Sequence, residues 1–164
     1  MLRLILVASL LTACRISLEN EDTGNVMGGQ VCKVSTSSQP CADAVNHSDL
    51  AWIEANVFNV CVFSGCHNGD NTRQGKIDLR PGQSYAHLVN YASGIDTTRK
   101  LVVPSDVAAS YLMLMLRDLP PDMASPPANP PPGNVGYMPQ GNATLCCQKL
   151  DALERWIMAG APSM

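Results

Sequence analysis

The chain has 164 residues and is mildly acidic, with 14 Asp and Glu against 11 Lys and Arg and a formal charge of -3. That balance, with no basic run anywhere, argues against a nucleic-acid partner, and the length suits one domain with a core of useful size. Aromatic residues make up 5 %, with two Phe and two Trp, so the core must be filled by Leu, Val, Ile and Met, or by a buried group the chain does not encode.

Met1-Leu2-Arg3 supplies a short basic start, and Leu4 to Leu11 an apolar run too short to cross a bilayer as a stable helix. The run ends in Leu11-Thr12-Ala13-Cys14, which resembles the bacterial lipobox. The expectation is a signal peptide over residues 1–13 and lipidation at Cys14, the alternative being an ordinary signal peptide with a fortuitous cysteine. Arg15 and Ile16 follow, with no Asp directly after the cysteine. By analogy with lipoproteins of double-membrane bacteria, this points to a lipid-anchored protein of the cell envelope, at the outer membrane and facing the periplasm. Such a compartment is oxidising. Residues 14–47 read as a flexible tether followed by a cysteine-bracketed loop. Arg15 to Gly29 is polar and glycine-punctuated. Cys32 and Cys41 bracket a turn-rich stretch that a local disulfide would close.

Residues 48–164 read as the folded domain. Ser48 is placed to cap a helix on which Leu50, Ile53, Val57 and Cys61 share one face, while His47 ahead of it reads as a surface residue. This helix leads into Cys61-Val62-Phe63-Ser64-Gly65-Cys66-His67. In an exported protein, two cysteines with a histidine after the second suggest covalent haem attachment: the thiols add to the vinyl groups and the imidazole takes the iron. The usual form has two residues between the cysteines and this one has four. A competing arrangement is a tetrahedral zinc site of Cys61, Cys66, His67 and one of Cys146 or Cys147.

A turn over residues 75–82 precedes a short helix from Ser84 to Asn90, in which His87 reads as a structural histidine. Leu101 to Pro104 is extended, and Ser105-Asp106 is placed to cap a helix running to Leu116, apolar nearly all round from Tyr111. The proline-rich stretch from Leu119 to Gly136 reads as a stiff surface loop. The closing helix, from about Thr144 to Ala159, carries Cys146, Leu150, Leu153 and Ile157 on one face, with Gly160 as its stop. The overall expectation is an all-α fold in which the first and last helices pack together.

In order and spacing, residues 50 to 162 resemble the small bacterial cytochrome c-like domains of planctomycete type. The likeness rests on Phe58, Cys61, Cys66 and His67; Gly75 and Leu79; Val103, Pro104, Asp106, Ser110 and Leu112; Met138 and Pro139; and Trp156, Ile157, Gly160 and Ala161. Ser105 stands where that group usually has glycine. The resemblance implies one covalent haem c on Cys61 and Cys66, with His67 as proximal and Met138 as distal ligand. The residues support the last assignment separately, since a thioether at the end of a proline-stiffened loop is held without a helix to restrict it; Met113, Met115 and Met123 compete. The function implied is membrane-tethered electron transfer with a periplasmic redox partner protein. No catalytic residue set is evident, so an enzyme is not expected. The alternative is a haem-free module, disulfide-stabilised or zinc-binding. Cys32, Cys41, Cys146 and Cys147 then remain, open to a Cys32–Cys41 bridge with a vicinal one, or to two bridges joining the amino-terminal loop to the last helix.

Overall fold

Among the residues the structure describes, one helix is long enough to form more than two turns. The computed structural model describes residues 32–63, 65–70, 76–140 and 143–163. Cys14, the signal peptide and the tether up to residue 31 lie outside them. The helices are α1 (Gln39–Ala44), α2 (Leu50–Asn56), α3 (Ser84–Leu88), α4 (Tyr111–Met115) and α5 (Cys147–Met158), with 3-10 turns at Phe58–Val60 and Pro121–Met123. α5 has 12 residues and the others five to seven, lengths that do not hold as isolated helices in water and persist here through tertiary packing.

The all-α expectation, a small cytochrome c-like helical domain, is overturned. Of the described residues 33 % are helical and 7 % are in strand-type pairing, which consists of isolated bridges such as Val89 with Val102 and Lys100 with Ser110. The rest is turn and irregular chain. Twelve Gly and twelve Pro interrupt the helical period repeatedly. The expected helix after Ser105-Asp106 shows how. Ser110 Oγ donates to the Asp106 carbonyl at 2.6 Å and accepts from the Val103 amide at 2.9 Å. The hydroxyl thereby holds residues 103–110 as a turn and postpones the helix to Tyr111. At α2 the cap is Asp49 and not Ser48, its carboxylate accepting from the Trp52 amide at 2.8 Å.

The core is one cluster in which α2, α4 and α5 each bury an apolar face. It contains Leu50, Ile53, Val57 and Phe58, all of Tyr111–Leu116, and Leu150, Leu153, Trp156 and Ile157. Trp156 is fully buried and donates its indole N–H to the Pro162 carbonyl at 2.8 Å. Buried polar groups tie the irregular segments to this core. Glu54 of α2 accepts from the Gly82 amide at 3.0 Å and from Ser84 Oγ at 2.6 Å, which pins the start of α3. Arg99, 8 % exposed, donates to the carbonyls of Pro126 and Pro127 at 2.6 and 2.9 Å, and so holds the proline-rich loop.

The stretch expected as a loop between Cys32 and Cys41 ends in α1, which packs on α5. Arg155 of α5 donates to the carbonyls of Ala44 and His47 at 2.6 and 2.9 Å. The Cys147 amide donates to the Lys33 carbonyl at 3.1 Å. With residue 33 fixed against the start of α5, the bridges run Cys32–Cys147 and Cys41–Cys146, at Cα separations of 5.1 and 6.3 Å. Of the two pairings left open, the structure has the two bridges that join the amino-terminal loop to the last helix, and not a local Cys32–Cys41 bridge.

Candidate functional site

α2 ends at Asn56, and the 3-10 turn Phe58–Val60 delivers the chain to Cys61, whose amide donates to the Phe58 carbonyl at 2.8 Å. The segment then turns back on itself. The Cys66 amide donates to the Phe63 carbonyl at 2.9 Å, and the His67 amide to the Cys61 carbonyl at 3.0 Å. The second of these bonds holds His67 beside Cys61. Residues 77–79 clamp the histidine from the other side. The Leu79 amide donates to the His67 carbonyl at 3.0 Å, and His67 Nδ1 lies 3.2 Å from the Ile77 carbonyl oxygen. A carbonyl can only accept, so in the neutral ring Nδ1 carries the proton and Nε2 keeps its lone pair.

Cys61 and Cys66 are free thiols, both half-buried, whereas the four other described cysteines are bridged. Burial pushes the Cys61 thiol up to about 11, the neighbouring Cys66 adds to this, and Lys149 opposes it. Burial also lowers Lys149 of α5, an effect that Cys61 counters. Cys61 lies within electrostatic reach of Lys149, and its Sγ is directed at the Val57 carbonyl at 3.9 Å.

Met138 is anchored separately. It is half-buried against the core cluster, as Cys61, Val62 and Ile77 are, and its amide donates to the Met115 carbonyl at the end of α4 at 2.8 Å. Next to it, the Arg117 guanidinium stacks over the Tyr137 ring at 5.2 Å. Of the competing methionines, Met113 and Met115 are buried core and Met123 is exposed. His47 stacks on Trp52 with ring centroids 4.7 Å apart and pairs with Asp49 at 3.0 Å; His87 reaches the Lys76 carbonyl at 3.0 Å. Cys14 lies outside the described residues.

Among the described residues no three His, Cys, Asp or Glu side chains converge where an ion could sit. The fourth ligands considered for zinc, Cys146 and Cys147, are both consumed in bridges. Haem attachment needs no such convergence, because its thioethers form at the porphyrin edge, away from the iron. Of the groups considered for it, Cys61 and Met138, from separate segments, border the same apolar core.

One feature of the site carries no motif signal. Asp78, buried, pairs with Arg80 at 2.7 Å, and Gly69, at φ 73, packs directly against both. The Arg80 guanidinium holds the Asp78 carboxyl below the usual carboxylate range. In the sequence only the placement of Gly69 two residues after His67 hints at a close approach. Among the described residues no helix is long and apolar enough to cross a membrane. Comparison of the chain with protein families, with curated proteins and with solved structures finds no match in any of the three.

Proposed function

We propose that the protein is a membrane-tethered electron carrier, a c-type cytochrome in the chemical sense, with one haem attached through Cys61 and Cys66 and ligated by His67 and Met138. The observation that supports this best is the division of the described cysteines. Two bridges take up Cys32, Cys41, Cys146 and Cys147, and the thiols left free are those that flank His67. In an oxidising compartment thiols persist when something other than a disulfide is their destination.

Haem, when bound, supplies a one-electron iron couple. His67 would present Nε2 with its ring oriented by the Ile77 carbonyl, a partnership that also makes the nitrogen more basic. Met138 would offer a soft thioether, which favours ferrous iron and raises the potential. The bond from the His67 amide to the Cys61 carbonyl would keep attachment point and ligand close together. With His67 and Met138 both holding the iron, the chain would leave no ligand position to a substrate, and the role proposed is that of a carrier without enzymatic activity. The anchor would be a lipid on Cys14, placing the domain at the outer membrane facing the periplasm, where the partner is another redox protein.

The two bridges also suit a second reading, a haem-free module stabilised by disulfides, since they tie the start of the described chain to α5. One experiment separates the two. The chain is expressed in a periplasm equipped with haem-attachment machinery, its mass is measured, and a reduced-minus-oxidised spectrum is recorded. The electron carrier predicts a mass increase of one haem, lost in Cys66→Ala, and a sulfur-ligand band lost in Met138→Ala while covalent haem remains. Colourless wild-type protein with the mass of polypeptide and lipid alone would leave the haem-free module.

A further inference from the structure

We propose that the Asp78–Arg80 pair, packed against Gly69, is the positioning element that holds the His67 ring with Nδ1 as donor and Nε2 as the ligating nitrogen. The role of Nε2 rests on the haem reading above; the positioning of the ring does not. Segment 77–80 touches His67 at two points, through the Ile77 carbonyl on the ring and the Leu79 amide on the main chain. Asp78 sits between these points. Its carboxylate accepts from the Arg80 amide at 3.0 Å, from Arg80 Nε at 3.0 and 3.2 Å, and from Arg80 Nη2 at 2.7 Å. A carboxylate held by four hydrogen bonds from one residue two positions on fixes the backbone of 78–80 as an Asx-type turn. The Ile77 carbonyl belongs to the peptide that enters this turn, so its direction follows from the same lock.

Gly69 completes the element. Its φ of 73 turns the chain after His67 back toward segment 78–80, and a β-carbon there would overlap Asp78 Oδ2 and Arg80 Nη2. The turn after His67 and the Asp78–Arg80 pair are therefore in contact with no room for a methyl group. A shift of either one is passed to the other, and through Ile77 to the ring. The Asp78 side chain is 7 % exposed, but that of Arg80 is 54 % exposed. Arg80 is thus the part of the lock that can be changed with least disturbance to the core. Partners that orient a ligating imidazole from behind have effects of about 10–100-fold on the metal centre they serve. Here an ion pair acts at one remove, through a carbonyl.

The test reads the ring itself. The full-length chain, expressed without haem-attachment machinery and labelled with 15N-histidine, is examined by NMR at a pH where His67 is neutral. Wild type should show His67 in the Nδ1–H tautomer. Arg80→Gln should shift the tautomer ratio toward Nε2–H by at least about tenfold, Arg80→Lys, which keeps the charge but lacks the fork, should give an intermediate ratio, and Gly69→Ala should behave like Arg80→Gln. The indole proton of Trp156, bonded to the Pro162 carbonyl, reports an intact core in each variant; should Gly69→Ala lose that signal, Arg80→Gln alone decides. An unchanged ratio in Arg80→Gln with the Trp156 signal in place overturns the positioning role, whatever the haem content of loaded protein. Wild-type protein that never takes up haem but shows the tautomer dependence keeps the positioning role and removes the haem reading.

Discussion

Ser105 stands at φ 64, in the left-handed region where a β-carbon is strained. Its amide donates to the Ile157 carbonyl at 2.8 Å, so the backbone is held there by α5. Replacing it with glycine removes the strain and adds freedom to the unfolded chain, two effects of opposite sign. The strain is the larger, and Ser105→Gly should stabilise by about 0.5–1 kcal/mol, a rise of roughly 2–4 °C in Tm; an unchanged or lower melting point would contradict this. Cys61 makes a second prediction at the same scale. With its thiol pushed up to about 11 by burial, the nucleophilic thiolate is scarce near neutrality. In the haem-free chain with Cys66→Ser, iodoacetamide should modify Cys61 at pH 7 about 100-fold more slowly than an ordinary exposed thiol, with a rate that keeps rising past pH 10. A plateau near pH 9 would show the thiol to be solvated. Both residues stand out in the sequence, Ser105 in a position usually glycine and Cys61 in its motif. The burial that governs Cys61 comes from the core cluster it packs against, whose members are spread along the chain.

At the scale of elements, α5 organises the molecule. It is the longest helix, buries Leu150, Leu153, Trp156 and Ile157, and receives both disulfides at its amino-terminal end. The bridges span 115 and 105 residues, and they enclose nearly the same stretch of chain. Once one is closed, the other closes only the short remaining circuit between the two bridges. Chain-entropy reasoning then gives a loss of about 3 kcal/mol for removing one bridge and about 7 kcal/mol for removing both. Urea melts of the Cys41→Ser/Cys146→Ser and quadruple variants would check this, equal losses per bridge being the contrary result. The proline-rich loop depends on Arg99 in a comparable way. Its guanidinium reaches two successive carbonyls, Pro126 and Pro127, while also pairing with Asp96 at 3.1 Å. Lysine has no fork to reproduce this geometry. Arg99→Lys should therefore destabilise by about 1–2 kcal/mol and open the 125–130 segment to proteolysis; wild-type resistance there would show the loop to be held by packing alone.

For the whole molecule, the pH dependence of stability follows from where carboxylates are placed. Burial raises Glu154 to about 7, with the charge of Asp118, a hydrogen bond to it and the charge of Asp151 adding, and Arg155 opposing. In the unfolded chain Glu154 ionises near 4.5. The folded state therefore holds a proton that the unfolded state has released between these values, and stability falls as pH rises from about 4.5 to about 7. Asp49, Asp78 and Asp96 act in the opposite sense, being lowered by His47, Arg80 and Thr98 respectively. Their contribution is present above their ordinary values and is lost only as pH falls below about 4. The melting temperature should then rise between pH 7.5 and pH 5.5 and drop in stronger acid. In Glu154→Gln the rise should flatten, and an identical rise in that variant would place its source elsewhere.

The apolar face of α2 and the stop at Gly160 were legible in the sequence, because each depends on residues within a few positions of one another. Cys61, Cys66 and His67 announce themselves in the same way. The pairing of Cys32 with Cys147 and of Cys41 with Cys146 joins distant segments, and the electrostatic influence of Lys149 on Cys61 does the same. No local pattern encodes them. The Asp78–Arg80 lock joins them because its meaning lies in what it touches: two charged residues two positions apart look like any solvated turn until Gly69 and His67 are folded against them. Local chemistry determined which thiols, imidazoles and thioethers this protein carries and in what order. Tertiary contacts between distant segments decided that Cys61 and Cys66 stay free among the described cysteines and, through the Ile77 carbonyl, which nitrogen of His67 keeps its lone pair.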